Sequence, residues 1–176
     1  CFCHTGAFAV HAAGYGAREV LGIDISEQAL ETARRNAALN RLDGVCTFQA
    51  GNVFDTLRQM ADDAVARRSP KGRFDMIILD PPAFTRSRAT VDSAASGYKE
   101  INLRAAMLLG EGGFLVTSSC SHHVDEPTFA AIVESALADA GRRARLVEER
   151  TQAKDHPVMA GVPETRYLKF LVFRMI

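Results

Sequence analysis

Short apolar runs alternate along this chain with longer stretches in which apolar residues recur every three or four positions. The first pattern predicts buried strands and the second amphipathic helices. The run Met76-Ile77-Ile78-Leu79 has no alternation, as expected of a strand buried on both faces of a parallel sheet. It ends in Asp80-Pro81-Pro82-Ala83-Phe84. Neither proline has a backbone N–H, and each biases the residue before it away from the α region, so the strand should stop in a stiff, extended tip. A carboxylate there sits where open α/β sheets bind their ligands.

Around this stretch the elements follow in order. Thr5-Gly6-Ala7-Phe8 opens a helix that stops at Gly14-Tyr15-Gly16, and Glu19 to Ile25 is a strand. Ser26 is a good N-cap for a helix with Leu30, Ala33 and Ala37 on one face, ending near Asn40. Val45 to Gln49 is a third strand-like run, then a helix from Val53 to Ala66 presents Leu57, Met60, Ala61 and Ala64. Arg67 to Gly72 is a polar loop before the opening strand. Phe84 to Ser96 lacks periodicity and reads as a mobile active-site loop.

Tyr98, Ile101, Ala105 and Leu108 mark a further helix, ended by Gly110, Gly112 and Gly113. Phe114 to Ser118 is a strand leading into Ser119-Cys120-Ser121-His122-His123. Pro127 begins a helix with Phe129, Ile132, Val133, Ala136 and Leu137 on its apolar face. Ala144 to Glu149 and Tyr167 to Met175 are strands joined by a long loop containing Asp155-His156-Pro157.

Strand and helix alternate throughout, which predicts an α/β, doubly wound, mostly parallel sheet. The last two strands have no helix between them, so the final one should be antiparallel. No repeat or linker interrupts residues 1–176, which read as one domain. A glycine loop opening a first helix normally follows a central strand, and none precedes Cys1. That strand is expected in residues upstream.

Composition adds limits. A hydrophobic share of 47% and a charged share of 24% suit a globular core. The net charge is zero, so no global field draws the domain to nucleic acid or membrane. Arg67, Arg68, Lys71 and Arg73, then Arg86 and Arg88, and Arg142, Arg143 and Arg145 form local basic clusters, which read first as solvated surface. No apolar run approaches the ~18 residues of a membrane span. Cys1, Cys3, Cys46 and Cys120 follow neither a disulfide nor a zinc spacing. No metal is expected, and a reducing cytoplasm fits.

The chemistry concentrates at strand ends. Thr5-Gly6-Ala7-Phe8 is weak alone, but Asp24 ends the next strand 18 residues after Gly6. That is near the ~20 expected of an acid binding ribose hydroxyls. Asn52 and the Val53 N–H, after the third run, can meet an adenine edge, or Asn52 can simply cap a helix. Loop, acid and amide together suit an adenosine ligand. Asp80 and Cys120 end consecutive strands and should face one crevice. Cys120 reads as a nucleophile, whose attacking form is the thiolate, since a free thiol ionises near ~8.5. Cys46, inside a strand, reads as filler. His122 and His123 either assist Cys120 or cap the turn, and His156 lies in a loop that can reach the site.

These residues resemble the class I S-adenosylmethionine-dependent methyltransferases, and more narrowly the ribosomal RNA large-subunit 5-methylcytosine methyltransferase family. The resemblance rests on Cys1-Phe2-Cys3-His4-Thr5-Gly6-Ala7-Phe8, Gly22-Ile23-Asp24-Ile25-Ser26, Leu79-Asp80-Pro81-Pro82-Ala83-Phe84 and Ser118-Ser119-Cys120-Ser121-His122-His123. Asp155-His156-Pro157-Val158 and Pro163-Glu164-Thr165-Arg166-Tyr167-Leu168-Lys169 complete it.

The resemblance implies a Rossmann-like methyltransferase sheet and S-adenosylmethionine held by Thr5, Gly6, Phe8, Asp24, Ile25, Ser26, Asn52 and Val53 with Asp80 and Pro81. It implies Cys120 and Asp80 as catalytic residues, and Pro82, Phe84 and His156 against a cytosine in large-subunit ribosomal RNA. A PUA-like RNA-binding domain is expected upstream. Many RNA 5-methylcytosine enzymes carry a second cysteine where Ala83 stands here. The same Asp-Pro-Pro-x-Phe pattern also resembles enzymes that methylate base nitrogens without a cysteine. A non-catalytic cofactor-binding or ribosome-assembly module is the third reading.

Overall fold

A computed structural model describes residues 1–66, 73–85 and 90–176. The predicted polar loop from Arg67 to Gly72, and residues 86–89 of the predicted active-site loop, lie outside the described residues. So do Arg67, Arg68, Lys71, Arg86 and Arg88 of the basic clusters. Two compact units divide the chain, Cys1–Thr56 and Leu57–Ile176.

In the first unit, α1 (Ala7–Gly14), β1 (Val20–Asp24), α2 (Glu27–Leu39) and β2 (Cys46–Ala50) alternate, and α3 (Val53–Ala66) begins. β1 and β2 pair in parallel, with Asp24 opposite Ala50. Ala13, Ala37 and Cys46 form the centre of a small apolar cluster, with Val10, Val20, Leu42 and Phe48 packed on it. Small residues predominate because the layers are close. A Cβ on Gly22 would lie 2.6 Å from the Phe48 ring and 3.0 Å from Cys3 Sγ. Ser26 caps α2 as predicted, its hydroxyl accepting from the Ala29 N–H at 3.2 Å.

In the second unit, β3 (Phe74–Leu79), α4 (Val91–Leu108), β4 (Leu109–Ser119), α5 (Glu126–Asp139), β5 (Ala144–Arg150) and β6 (Lys169–Met175) build a four-stranded sheet. Its order is β3-β4-β6-β5. β3 and β4 are parallel, and β6 is antiparallel to both β4 and β5, as the missing helix between the last strands implied. Ile101, Ala105, Leu115, Phe129, Val133, Leu171 and Phe173 are buried in its core. Asp125 caps α5 by accepting the Thr128 N–H at 2.9 Å, and Pro127 occupies the first turn, where a missing N–H costs nothing.

Three expectations need correction. β3 is not sealed on both faces: Ile77 and Leu79 are buried, but Met76 is 49% exposed. Residues from Val91 to Ser96 are helix, not loop. Their small side chains carry no periodic signal, and the turn forms because Ala94 packs inside ahead of Tyr98. Gly110, Gly112 and Gly113 lie within β4 rather than ending a helix. The ladder shifts register between Phe74 and Met76 opposite them, and Gly112 takes φ +74°, a bulge-like conformation open to glycine. No helix among the described residues is long and apolar enough to cross a membrane.

Candidate active site

The first unit gathers a loop, an acid and an amide at the carboxyl edge of its parallel pair. Gly6 has φ +81°, and an added Cβ would lie 2.9 Å from Ala33 Cβ, so the turn into α1 is open to glycine alone. Asn36 fastens the loop from below, its amide donating to the Thr5 carbonyl at 2.9 Å. Asp24 fastens it from the side. One carboxylate oxygen accepts the His4 N–H at 2.8 Å, and the other accepts the Ser26 N–H at 3.0 Å. The carboxylate is half-exposed, and an ionised carboxylate offers about four acceptor positions, so lone pairs are left beyond these two bonds.

Ile25 beside it is 76% exposed, and Phe8 43%. Both present apolar surface. Asn52 is exposed, and its Oδ1 accepts the Phe54 N–H at 2.9 Å, so it caps the start of α3. Val53 is buried.

The second unit brings Asp80, Pro81 and Cys120 together. Leu79 lies opposite Thr117 in the parallel β3–β4 ladder, so the residues that follow, Asp80 and Ser118, are also side by side. The Ser118 hydroxyl donates to Asp80 Oδ1 at 2.5 Å. Cys120 Sγ lies 4.0 Å from the Pro81 carbonyl oxygen, within reach of a thiol hydrogen bond. Pro81 is buried, whereas Asp80 and Pro82 are exposed and Cys120 half-exposed. An accessible thiol, a carboxylate and a rigid carbonyl therefore share one edge.

Behind them is a buried polar cluster. The Tyr98 hydroxyl bonds with Ser121 Oγ at 2.8 Å and receives a hydrogen bond from Ser119 Oγ at 3.0 Å. Phe84 rests on the Tyr98 ring with centroids 4.6 Å apart, and Tyr98 meets Phe129 edge-on at 5.3 Å.

The predicted residues His122, His123 and His156 fare differently. The first two stack edge-on against each other at 5.4 Å. His156 lies 3.2 Å from Asp155 Oδ1 and meets the Tyr167 ring at 6.3 Å; among the described residues it makes no contact with Asp80 or Cys120. The hydrogen bond to His156 holds the Asp155 carboxyl below its ordinary value. Cys46 is buried and burial pushes its thiol up, as befits filler. Sequence reasoning passed over Ser118, Tyr98 and Lys169 as site residues. Ser118 was legible from strand alignment, since it ends the strand beside Asp80. Tyr98 showed only as core.

A family model for the methyltransferase domain matches residues 1–160. The chain belongs to the methyltransferase domain family. It is 46% identical over 177 residues to the ribosomal RNA large subunit methyltransferase I of Tolumonas auensis, covering 100% of this chain and 43% of that protein. The protein of the same name from Shigella dysenteriae is 42% identical over 177 residues, again covering 100% and 43%. The chain thus spans less than half the length of these curated relatives.

Among solved structures, that of SMU.776 complexed with SAH shares the fold with a TM-score of 0.81 at 22% identity, covering 98% of this chain and 43% of that one. NSun6 from Pyrococcus horikoshii with SFG gives 0.63 at 17%, covering 96% and 45%. The family's methyl donor is S-adenosylmethionine. The spare lone pairs of Asp24 beside the exposed Ile25 suit its ribose and adenine, and no cluster of three or more metal-binding side chains occurs among the described residues.

Proposed function

We propose that the protein transfers a methyl group to carbon 5 of a cytosine in large-subunit ribosomal RNA through a covalent adduct with Cys120. The observation that carries this reading is the accessible Cys120 thiol held 4.0 Å from the Pro81 carbonyl, next to the carboxylate of Asp80. A site built only to hold an amino group for nitrogen methylation needs the acid and the carbonyl but not the thiol. The curated relatives named for ribosomal RNA large subunit methylation support the choice of RNA. A PUA-like RNA-binding domain, as the resemblance implies, would add phosphate contacts that this neutral domain does not concentrate.

Carbon 5 of cytosine is a poor nucleophile. Thiolate addition at carbon 6 turns the ring into an enamine, and S-adenosylmethionine supplies the electrophilic sulfonium methyl that carbon 5 attacks. Asp80 shares a proton with ring nitrogen 3 and accepts from the amino group, so the negative charge that thiolate addition sends to nitrogen 3 is neutralised. S-adenosylhomocysteine is left behind. Loss of the carbon 5 proton to water, Ala83 offering no base, then lets the bond to Cys120 break, its electron pair returning to sulfur. The base must leave its stack to reach the thiol, and the half-buried Phe84, backed by the Tyr98 ring, is the proposed stacking partner.

Cys120→Ala is expected to abolish turnover while S-adenosylmethionine still binds. Mass spectrometry of undermethylated ribosomal RNA after incubation with the full-length protein names the nucleotide and the atom. Normal turnover by the variant, or a methyl group on nitrogen, replaces this reading with base-nitrogen methylation. No transfer by the wild type under any condition leaves a binding module.

A further inference from the structure

Lys169 opens β6, and its backbone sits opposite Ser119 in the antiparallel ladder with β4. The residue is 6% exposed, an uncommon place for an ammonium group. Its Nζ donates to the Ser121 carbonyl at 2.6 Å and to the Tyr167 carbonyl at 2.9 Å, leaving one N–H of three. Among the described residues it makes no ion pair. Burial pushes the Lys169 ammonium down from its ordinary value, and the negative charges of Cys120 as thiolate, Asp125 and Glu126 pull it back toward the charged form.

Around Lys169 the titratable and charged neighbours are Cys120, Asp125 and Glu126, with His122 and Arg166 lining the same cavity of about 300 Å³. Asp125 and Glu126 stand at the exposed start of α5. Cys120 is one residue from the carbonyl that Lys169 holds.

We propose that Lys169 is the positioning residue of the thiolate: it clamps the backbone just after Cys120 and places a fixed positive charge beside the sulfur in its attacking form. This rests on the thiolate reading of the site. The thiol proton leaves to solvent, and the resulting anion is met by an ammonium that folding has already desolvated. When the bond between sulfur and carbon 6 breaks, the pair returns to sulfur beside the same charge. Lys169 gives up no proton in either step.

The primary readout needs neither RNA nor cofactor. Alkylation of Cys120 by iodoacetamide at pH 7 is followed by mass spectrometry of the peptide that contains it, so Cys1, Cys3 and Cys46 do not interfere. Lys169→Gln keeps two donors for the two carbonyls and removes the charge. It is expected to slow alkylation roughly tenfold, the effect of losing one close opposite charge. Lys169→Arg is expected to restore most of the rate, and kcat should follow while KM for RNA stays within about twofold.

A purely structural lysine predicts no change in Lys169→Gln, because its hydrogen bonds survive. A folded Lys169→Gln that alkylates at the wild-type rate overturns the proposal. If that variant does not fold, the pH profile of Cys120 alkylation in the wild type is read instead, and a midpoint at or above the ~8.5 of a free thiol overturns it. Turnover surviving in Cys120→Ala would overturn the thiolate reading instead, and leaves the alkylation comparison unaffected.

Discussion

The Ser118 hydroxyl donates to Asp80 Oδ1 at 2.5 Å, and the Leu79 carbonyl lies 3.4 Å from the same hydroxyl. The acid at the tip of β3 is thus aimed by the neighbouring strand rather than by its own loop. Ser118→Ala leaves the carboxylate in place but free to turn. Hydrogen bonds to charged groups are worth ~1.5–3 kcal/mol, so kcat is expected to fall roughly tenfold or more. Affinity for S-adenosylmethionine should fall less, since of its expected cradle only Asp80 is touched, while Gly6, Asp24 and Asn52 keep their own bonds. Steady-state kinetics beside a cofactor titration separates the two.

Tyr98 offers a different test, of stability. Its hydroxyl serves Ser119 and Ser121, and all three residues are fully buried. Tyr98→Phe removes one oxygen and leaves two serine hydroxyls short of a partner. The cost should be about 1–3 kcal/mol, read from the urea midpoint at unchanged slope. A loss below a few tenths would mean that the serines find other partners.

Asp125 sets a pH dependence. The hydrogen bonds from Thr128 hold its carboxyl below its ordinary value of 3.8. The folded state therefore binds this proton less readily than the unfolded state. The cap's contribution is complete above pH 3.8 and declines as pH falls through the lower folded value. Asp125→Asn keeps a good cap without a titrating group. Denaturant midpoints measured between about pH 5 and pH 3 should fall more steeply for the wild type than for this variant.

Much of this arrangement was legible before any coordinates. The unbroken run before Asp80, the Ser26 cap and the helix-free link between the last strands each follow from local rules, and the alternation of elements follows from their order. What escaped had long-range causes. Val91 to Ser96 is helical because Ala94 finds a buried seat, which no local pattern announces. The glycines before Phe114 looked like a helix stop because glycine marks both helix ends and bulges, and only the ladder with β3 tells them apart. Asn52 was read for both a base edge and a cap, and its oxygen is engaged as a cap. The Asp80–Ser118 bond depended on strand register, which fixes neighbours that lie far apart in sequence.

β4 is hydrogen-bonded along its last residues on both sides, to β3 through Thr117 and to β6 through Ser119. Cys120 is the first residue beyond that double attachment. On the proposed mechanism, the thiol is consequently placed during folding, not during encounter with RNA. A nucleophile carried by a free loop would spend ordering entropy at every catalytic cycle. On that mechanism the loss is met once per molecule, and the motion left for each turnover is the movement of the base itself.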